Sequence, residues 1–292
     1  MRRITLILPV FNDWESLRLL LNKIKKKIKK KIICDVLIIN DNSHSNQIER
    51  LDKESVYKNI NVINLRENIG SQKAIATGIK YISKNFNKFG KEFIILDSDG
   101  EDDYLKIVNI LKLTKNNKCD VLTVNRSTRK ESFVFSILYE IHLIITFLLT
   151  FKYIRYGNYS YLNSKALSLI SKKSELWLAY SATLEKYFPN KKNIVASRGK
   201  RFMGQSKMNY LQLIIHSFNI QLVFSKKIIF NYLLYLTLSI IMINFNYFKF
   251  ILPPLYILFL IHIISLIIVN FISLKIKFDD CLKNIKSINQ LR

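Results

Sequence analysis

The sequence predicts an α/β domain, a mostly parallel sheet with helices on both faces, followed by a pair of transmembrane helices. Three observations predict it. Apolar strand-like runs and amphipathic helical stretches alternate five times within residues 4–126, the pattern of parallel strands joined by crossovers. Every run ends in a polar cluster: Asn12-Asp13, residues 40–43, residues 68–70, residues 97–103 and Arg126. Two apolar stretches of spanning length, 228–248 and 250–272, fill the last third of the 292 residues.

Taken in order, residues 4–10 are a compact apolar run containing Pro9 and read as a first, buried strand. Phe11-Asn12-Asp13 is turn chemistry, and Asn12 or Asp13 can cap the helix that follows. In that helix Leu17, Leu20, Leu21, Ile24 and Ile28 recur at helical spacing, with Lys on the other faces. Residues 32–39 are a second strand ending in Asn40-Asp41-Asn42-Ser43. A short amphipathic segment leads to a third strand at 61–65, a loop through Asn68-Ile69-Gly70, and a helix from Ser71 to about residue 85. Residues 93–96 are a fourth strand, 104–113 a helix and 120–124 a fifth strand ending at Asn125-Arg126. By the crossover rule the polar clusters share one sheet edge, where ligands of open α/β sheets collect. No GxGxxG follows the first strand and no GxxxxGK[ST] occurs, which argues against a dinucleotide fold and a P-loop.

The fourth strand runs into Asp97-Ser98-Asp99-Gly100-Glu101-Asp102-Asp103, five carboxylates in seven positions. Asp97 and Asp99, two residues apart on a strand exit, can both approach one hard divalent cation and leave positions open for phosphate oxygens. The competing reading is a helix start, with Asp99 or Asp102 as cap and the other acids favouring the positive helix end.

Composition narrows the setting. The net charge is +25 and 49% of residues are hydrophobic. The charge fits nucleic acid, an anionic membrane surface or a Lys-rich genome alike. Cys34, Cys119 and Cys281 are scattered, with no CxxC pair and no His at metal spacing, so neither a disulfide framework nor a zinc site is expected. Met1-Arg2-Arg3 leads into a strand rather than a signal-peptide apolar region, so the front of the chain is expected in the cytoplasm.

Five motifs in order carry a resemblance. They are Pro9-Val10-Phe11-Asn12, Ile38-Ile39-Asn40-Asp41-Asn42-Ser43, Asn68-Ile69-Gly70, Leu96-Asp97-Ser98-Asp99 and Val124-Asn125-Arg126. Together they resemble a family 2 glycosyltransferase of GT-A fold. Arg198-Gly199-Lys200-Arg201-Phe202-Met203-Gly204-Gln205-Ser206-Lys207 is similar to a segment of the polyprenyl-phosphate sugar synthases, the branch of the dolichol-phosphate mannose synthases and bactoprenol glucosyltransferases. The resemblance covers about residues 4–226. It implies that Pro9, Asn12 and Asp41 line the nucleotide base and ribose, with Asn68, Gly70, Lys73 and Arg126 completing the nucleotide-sugar site. It implies further that Asp97 and Asp99 hold Mg2+ or Mn2+ on the donor diphosphate, and that Arg198, Arg201, Ser206 and Lys207 meet the diphosphate or a lipid phosphate. Two departures stand out. The family's Asp-Asp pair is Asn40-Asp41, and the position of its catalytic Asp is Asn158, with Ser160 in place of Arg. Asn is no general base. That weighs against an alcohol acceptor far more than against a lipid phosphate, which is already an anion, its second pKa being about 6. Glu185 or Asp102 are alternative bases, and loss of activity is a further reading.

Residues 133–151 are apolar and aromatic, interrupted by Glu140 and His142, behind the basic residues Arg126, Arg129 and Lys130. An interfacial helix and a plain core helix fit equally. His142 reads as a packed histidine and Trp177 as a core aromatic. The 198–207 segment reads as a phosphate-closing loop or as a solvated basic loop. From Met208 on, Leu211, Ile214, Ile215, Phe218 and Leu222 share one helix face, suited to a membrane surface. Lys226-Lys227 and Lys275, Lys277 flank the apolar pair and put both its ends in the cytoplasm.

The expectation is therefore a catalytic domain at 1–207, an amphipathic interfacial helix at 208–227 and a two-helix anchor with a basic tail at 228–292. The chain would be a multi-pass membrane glycosyltransferase passing a sugar from a UDP- or GDP-sugar to a polyprenyl phosphate or another lipid-linked acceptor. Membrane lipid is the expected partner and nucleic acid is not; a homo-oligomer is compatible with the sequence. Two rivals stand beside this: transfer to a lipid-linked oligosaccharide or surface glycan, and a non-catalytic basic membrane protein binding anionic lipid or nucleic acid.

Overall fold

The computed structural model describes residues 2–28, 32–44, 56–115, 119–127, 133–205, 209–243, 252–273 and 277–291. The chain forms two compact units, one of residues 1–130, 155–206 and 278–292, the other of residues 131–154 and 207–277.

The first unit is an eight-stranded mixed sheet. Its strands are β1 (Arg2–Val10), β2 (Ile32–Asn40), β3 (Tyr57–Leu65), β4 (Glu92–Ile95), β5 (Val121–Arg126), β6 (Tyr156–Asn163), β7 (Lys192–Ala196) and β8 (Ile285–Gln290), in the order β7-β5-β6-β4-β1-β2-β3-β8. The apolar runs of β1 and β2 are buried along nearly their whole length, as a strand covered on both faces demands. Helices α1 (Trp14–Lys25), α2 (Ser71–Lys84) and α3 (Lys106–Leu113) follow β1, β3 and β4. Leu17, Leu20, Leu21 and Ile24 of α1 are buried, as their spacing predicts. On α2, Gly78 lets the helix close on the sheet, since a Cβ there would lie 2.8 Å from Ile39 Cδ1.

β1, β2, β3 and β4 run parallel, and so do β5 and β7. β6 is antiparallel between β4 and β5. The sequence pattern shows no sign of this inserted strand, nor of β7, an exposed edge strand whose burial does not alternate cleanly. The register Ile95↔Ser160 means that a residue two beyond β4 meets a residue two before Ser160. β6 thereby brings Asn158 to Asp97.

Residues 278–291, expected as a basic tail, return to the sheet. A 3-10 turn (Phe278–Asn284) leads into β8, which pairs antiparallel with β3. Asn64 Nδ2 donates to Ser287 Oγ at 3.0 Å and Arg66 N to Asn284 O at 2.9 Å. Helices α5 (Ser164–Ile170) and α6 (Tyr180–Tyr187) pack beside β6.

The second unit holds α4 (Phe133–Thr150), α7 (Tyr210–Leu222), α8 (Ser225–Ile243) and α9 (Leu252–Ser273). Asn209 and Gln212 form a reciprocal capping box that starts α7. Polar side chains bond across the helices: Gln221 Oε1 with His262 Nε2 at 2.8 Å, Tyr232 Oη with His262 Nδ1 at 2.5 Å, and Asn231 Nδ2 to Leu149 O at 2.8 Å. His142 bonds Ser217 and is a packed histidine, as its sequence context suggests. α4 buries Leu143 and Leu149 and exposes Ile144 and Leu148, so it is not fully covered. Among the described residues no single helix is long and apolar enough to cross a membrane. One pair, Tyr210–Leu222 with Ser225–Ser239, passes that test together, bent by 82°.

Candidate active site

Six strands, β1–β5 and β7, end on one sheet edge, and the polar segments behind them converge there. At the β1 and β2 exits the two turns hold one another. Asn12, at φ +52°, donates its N–H to Ser43 Oγ at 2.9 Å and accepts from His44 N at 2.7 Å. Asp41 is buried, with its N–H on Val10 O. Its carboxylate accepts the N–H groups of Ile69 and Gly70, both at 2.8 Å. Asp41 thus shapes the 68–70 loop, whose Gly70 sits at φ +86° ahead of α2. Burial pushes the Asp41 carboxyl up to about 6, against those two N–H groups and Lys73, which pull it down. Asn68 Oδ1 also faces Gly70 N, at 3.2 Å. Lys73 Nζ lies 5.3 Å from the Trp177 ring centroid, and burial lowers its pKa.

Neither Asp99 nor Asp102 caps the helix that follows β4. The residue preceding α3 is Leu105, and no side chain caps that helix. Asp102 instead turns back, accepting Asp97 N–H at 3.0 Å, and Asp99 accepts Glu101 N–H at 3.0 Å. This tight return puts Asp97, Asp99 and Asp102 beside one another. Burial and mutual repulsion raise all three carboxyl pKa values. Arg126, on β5, offsets part of that charge from 3.5 Å on Asp102 and 3.8 Å on Asp97. Gly157 leaves room for that guanidinium, since a Cβ there would lie 2.8 Å from Nη2.

β7 delivers the basic segment to the same edge. Arg198 Nε donates to Glu101 at 2.9 Å. Arg201 Nη1 donates to Asp99 Oδ2 at 3.0 Å and Nη2 to Asp13 Oδ2 at 2.7 Å. Gly199 N donates to Glu101 O at 2.8 Å and Phe202 N to Asp99 O at 2.9 Å. The Phe202 ring lies on Gly100, φ +86°, where a Cβ would come within 2.4 Å of it. The segment is therefore not a solvated loop. Ser206 and Lys207, expected beside it, lie outside the described residues.

Asn158 Nδ2 donates to Asp97 Oδ1 at 2.8 Å, and Gln72 Nε2 donates to Asn158 Oδ1 at 2.8 Å. Gln72 in turn accepts Tyr180 N–H at 2.9 Å. Of the alternative bases, Glu185 is ion-paired with Lys191, and Asp102 is taken up by Asp97 N–H and Arg126. Gln72 and Asp13 are the two site residues that sequence reasoning missed. Asp13 was expected as a helix cap, but makes no capping bond to α1 because its carboxylate is on Arg201.

Paired, crowded carboxylates of hard oxygen with raised pKa values are a donor set suited to a divalent cation. Among the described residues no group of three or more His, Cys, Asp or Glu is placed to hold a metal ion unaided. Asp97 and Asp99 would supply two ligands, and phosphate oxygens and water the rest.

A sheet of this order, with an Asp-x-Asp pair on its carboxyl edge, is that of the GT-A class. Residues 5–170 match the model of Glycosyl transferase family 2, and the chain belongs to that family. It is 22% identical over 223 residues to an uncharacterised glycosyltransferase of Synechocystis sp., covering 72% of this chain and 65% of that protein. Among solved structures it is similar to S. aureus TarS 1-349 in complex with UDP, with TM-score 0.49 and 16% identity over 78% of this chain and 65% of that one. It is similar also to a mannosyltransferase of Pyrobaculum calidifontis in complex with GDP-Man and Mn2+, with TM-score 0.46 and 14% identity over 75% and 61%. The chain spans less than two thirds of the length of each of these three.

Proposed function

We propose that this chain transfers a sugar from a nucleoside diphosphate donor to a polyprenyl phosphate at the cytoplasmic leaflet of a membrane. The observation that carries the reading is the pairing of Asp97 and Asp99 at the carboxyl edge with Arg201 on Asp99 and Arg198 beside it on Glu101. Breaking the sugar–phosphate bond builds negative charge on the leaving diphosphate, and a divalent cation on the acid pair supplies charge stabilisation there. Arg198 and Arg201 add fork-shaped donors suited to phosphate oxygens. Asp41 holds the loop beside the base and ribose, and Asn12 joins the first two strand exits.

The acceptor reading rests on Asn158. It donates to Asp97 and has no basic lone pair to offer an alcohol. A phosphate monoester needs no base, because it arrives ionised. Inversion at the anomeric carbon is the family's outcome for such in-line attack.

The membrane reading rests on composition and topology. Lys226 and Lys227 precede the apolar pair in sequence and Lys275 and Lys277 follow it, the charge pattern of two cytoplasmic ends. Chain excursions from the sheet also return to it, from β5 to β6 around α4 and from β7 to β8 around α7–α9. A segment that leaves and re-enters one sheet crosses a bilayer an even number of times or not at all. In this reading α8 and α9 form the paired crossing, and α4, alone in its excursion, does not cross.

The test is purified protein in detergent with Mn2+, a panel of UDP- and GDP-sugars and a short polyprenyl phosphate, comparing wild type with Asp99→Asn. Metal-dependent product that the variant fails to make is the expected result. Equal transfer to dephosphorylated lipid would move the acceptor to another lipid-linked glycan. Neither product nor nucleotide binding would overturn the enzyme reading.

A further inference from the structure

Both oxygens of Asp99 already accept a hydrogen bond. One takes Glu101 N–H and the other Arg201 Nη1, each at 3.0 Å. Arg201 thus supplies positive charge directly to this acid, and its second arm is on Asp13 at 2.7 Å. Its Nε–H is buried and without a hydrogen-bond partner among the described residues, an unmet donor in a partly buried guanidinium. The structure thus holds a fork with two arms on carboxylates and one edge unsatisfied.

We propose that Arg201 is the exchangeable counter-ion of Asp99: it neutralises that acid before the site is loaded and passes to the donor's diphosphate when Asp99 takes a divalent cation. Asp13 is the positioning residue that keeps Arg201 within reach of both. This rests on the donor reading given above. The physical argument is one of charge. A guanidinium and a divalent cation on the same carboxylate repel one another, so Arg201 opposes a cation that arrives alone. A diphosphate reverses the balance, because it offers Arg201 an anion of its own and a partner for Nε–H. Cation and nucleotide then bind well together and poorly apart.

The exchange needs only a side chain to move. Phe202 N on Asp99 O, Gly199 N on Glu101 O and the Phe202 ring on Gly100 pin the backbone without using the Arg201 charge. Asp13 lies 188 residues from Arg201 in sequence, on the turn after β1, and so belongs to a different stretch of chain from the acid loop and the basic segment. It can hold one arm while the other changes partner.

The experiment is Mn2+ binding followed by EPR on the full chain in detergent, with Mn2+ alone and with UDP or GDP added, alongside thermal unfolding. Arg201→Gln is expected to bind Mn2+ alone at least fivefold more tightly than wild type, and Mn2+ with nucleotide at least tenfold more weakly. Asp13→Asn leaves Arg201 leaning on Asp99 alone, and should weaken Mn2+ binding about threefold in wild type but not in the Arg201→Gln background. An equal effect in both backgrounds would make Asp13 a mere distant charge and overturn its role. Unchanged or weaker Mn2+ binding in Arg201→Gln overturns the exchange. Should that variant not fold, Asp13→Asn decides, and unaltered Mn2+ binding there overturns it as well. Wild type in which neither UDP nor GDP strengthens Mn2+ binding would instead sink the donor reading, and the exchange with it.

Discussion

Asn158 Nδ2 donates to Asp97 Oδ1 at 2.8 Å, and the direction of that bond is set from both ends. Asp97 as a carboxylate can only accept, and at the far end Tyr180 N–H can only donate, to Gln72 Oε1 at 2.9 Å. Between them, two amides with one donor group and one acceptor each fit in a single orientation. Asn158→Asp would set one carboxylate against another. Thermal unfolding at pH 8 should show a loss on the order of 2 kcal/mol, shrinking as the pH falls toward 5. An unchanged melting temperature at pH 8 would remove the donor role.

Gln72→Met keeps the length of the side chain and removes both its bonds. Tyr180 N–H and Asn158 Oδ1 then lose their partners, at a cost of about 1–3 kcal/mol for each group left buried. Denaturant midpoints of wild type and variant measure it. A difference near zero would mean that water replaces the amide.

Asp41 offers a pH test. Its carboxyl is raised from 3.8 to about 6, so the folded protein holds that proton more tightly than the unfolded chain does. The contribution is complete below pH 3.8, declines as pH rises and is gone above about 6; two pKa units correspond to about 3 kcal/mol. Wild type should therefore lose stability relative to Asp41→Asn between pH 4 and 6.5 in urea titrations. A gap that moves the other way would contradict the burial argument.

Gly100→Ala meets two obstacles at once. A left-handed backbone costs a residue with a Cβ roughly 1–2 kcal/mol, and that Cβ would press on the Phe202 ring. The expected result is faster proteolysis within residues 198–205 with the rest of the sheet intact. Unaltered cleavage there would show that the ring is not what holds the segment.

Much of this was readable from residue order. Burial on both faces makes β1, β2 and β4 continuous apolar runs, and the acids behind β4 stand out from a chain of charge +25. The antiparallel β6 was not readable. Its Tyr, Asn and Ser residues fit a strand no better than a loop, and only the pairing Ile95↔Ser160 puts Asn158 on Asp97. The partners of Arg201 were hidden for another reason. Asp13 before a helix looks like a cap, and nothing local records a partner 188 residues away. Gln72 in the first turn of a helix has no distinguishing neighbour at all.

The return of β8 has a consequence for how the chain is made. β3 leaves the ribosome with one side of its hydrogen-bonding ladder open, and the strand that closes it follows more than two hundred residues later, after the whole helical unit. An open strand edge is a template for pairing with other chains. Until residues 285–290 emerge, the nascent sheet is an aggregation hazard, and a message truncated within α8 or α9 would release a product with that edge permanently bare.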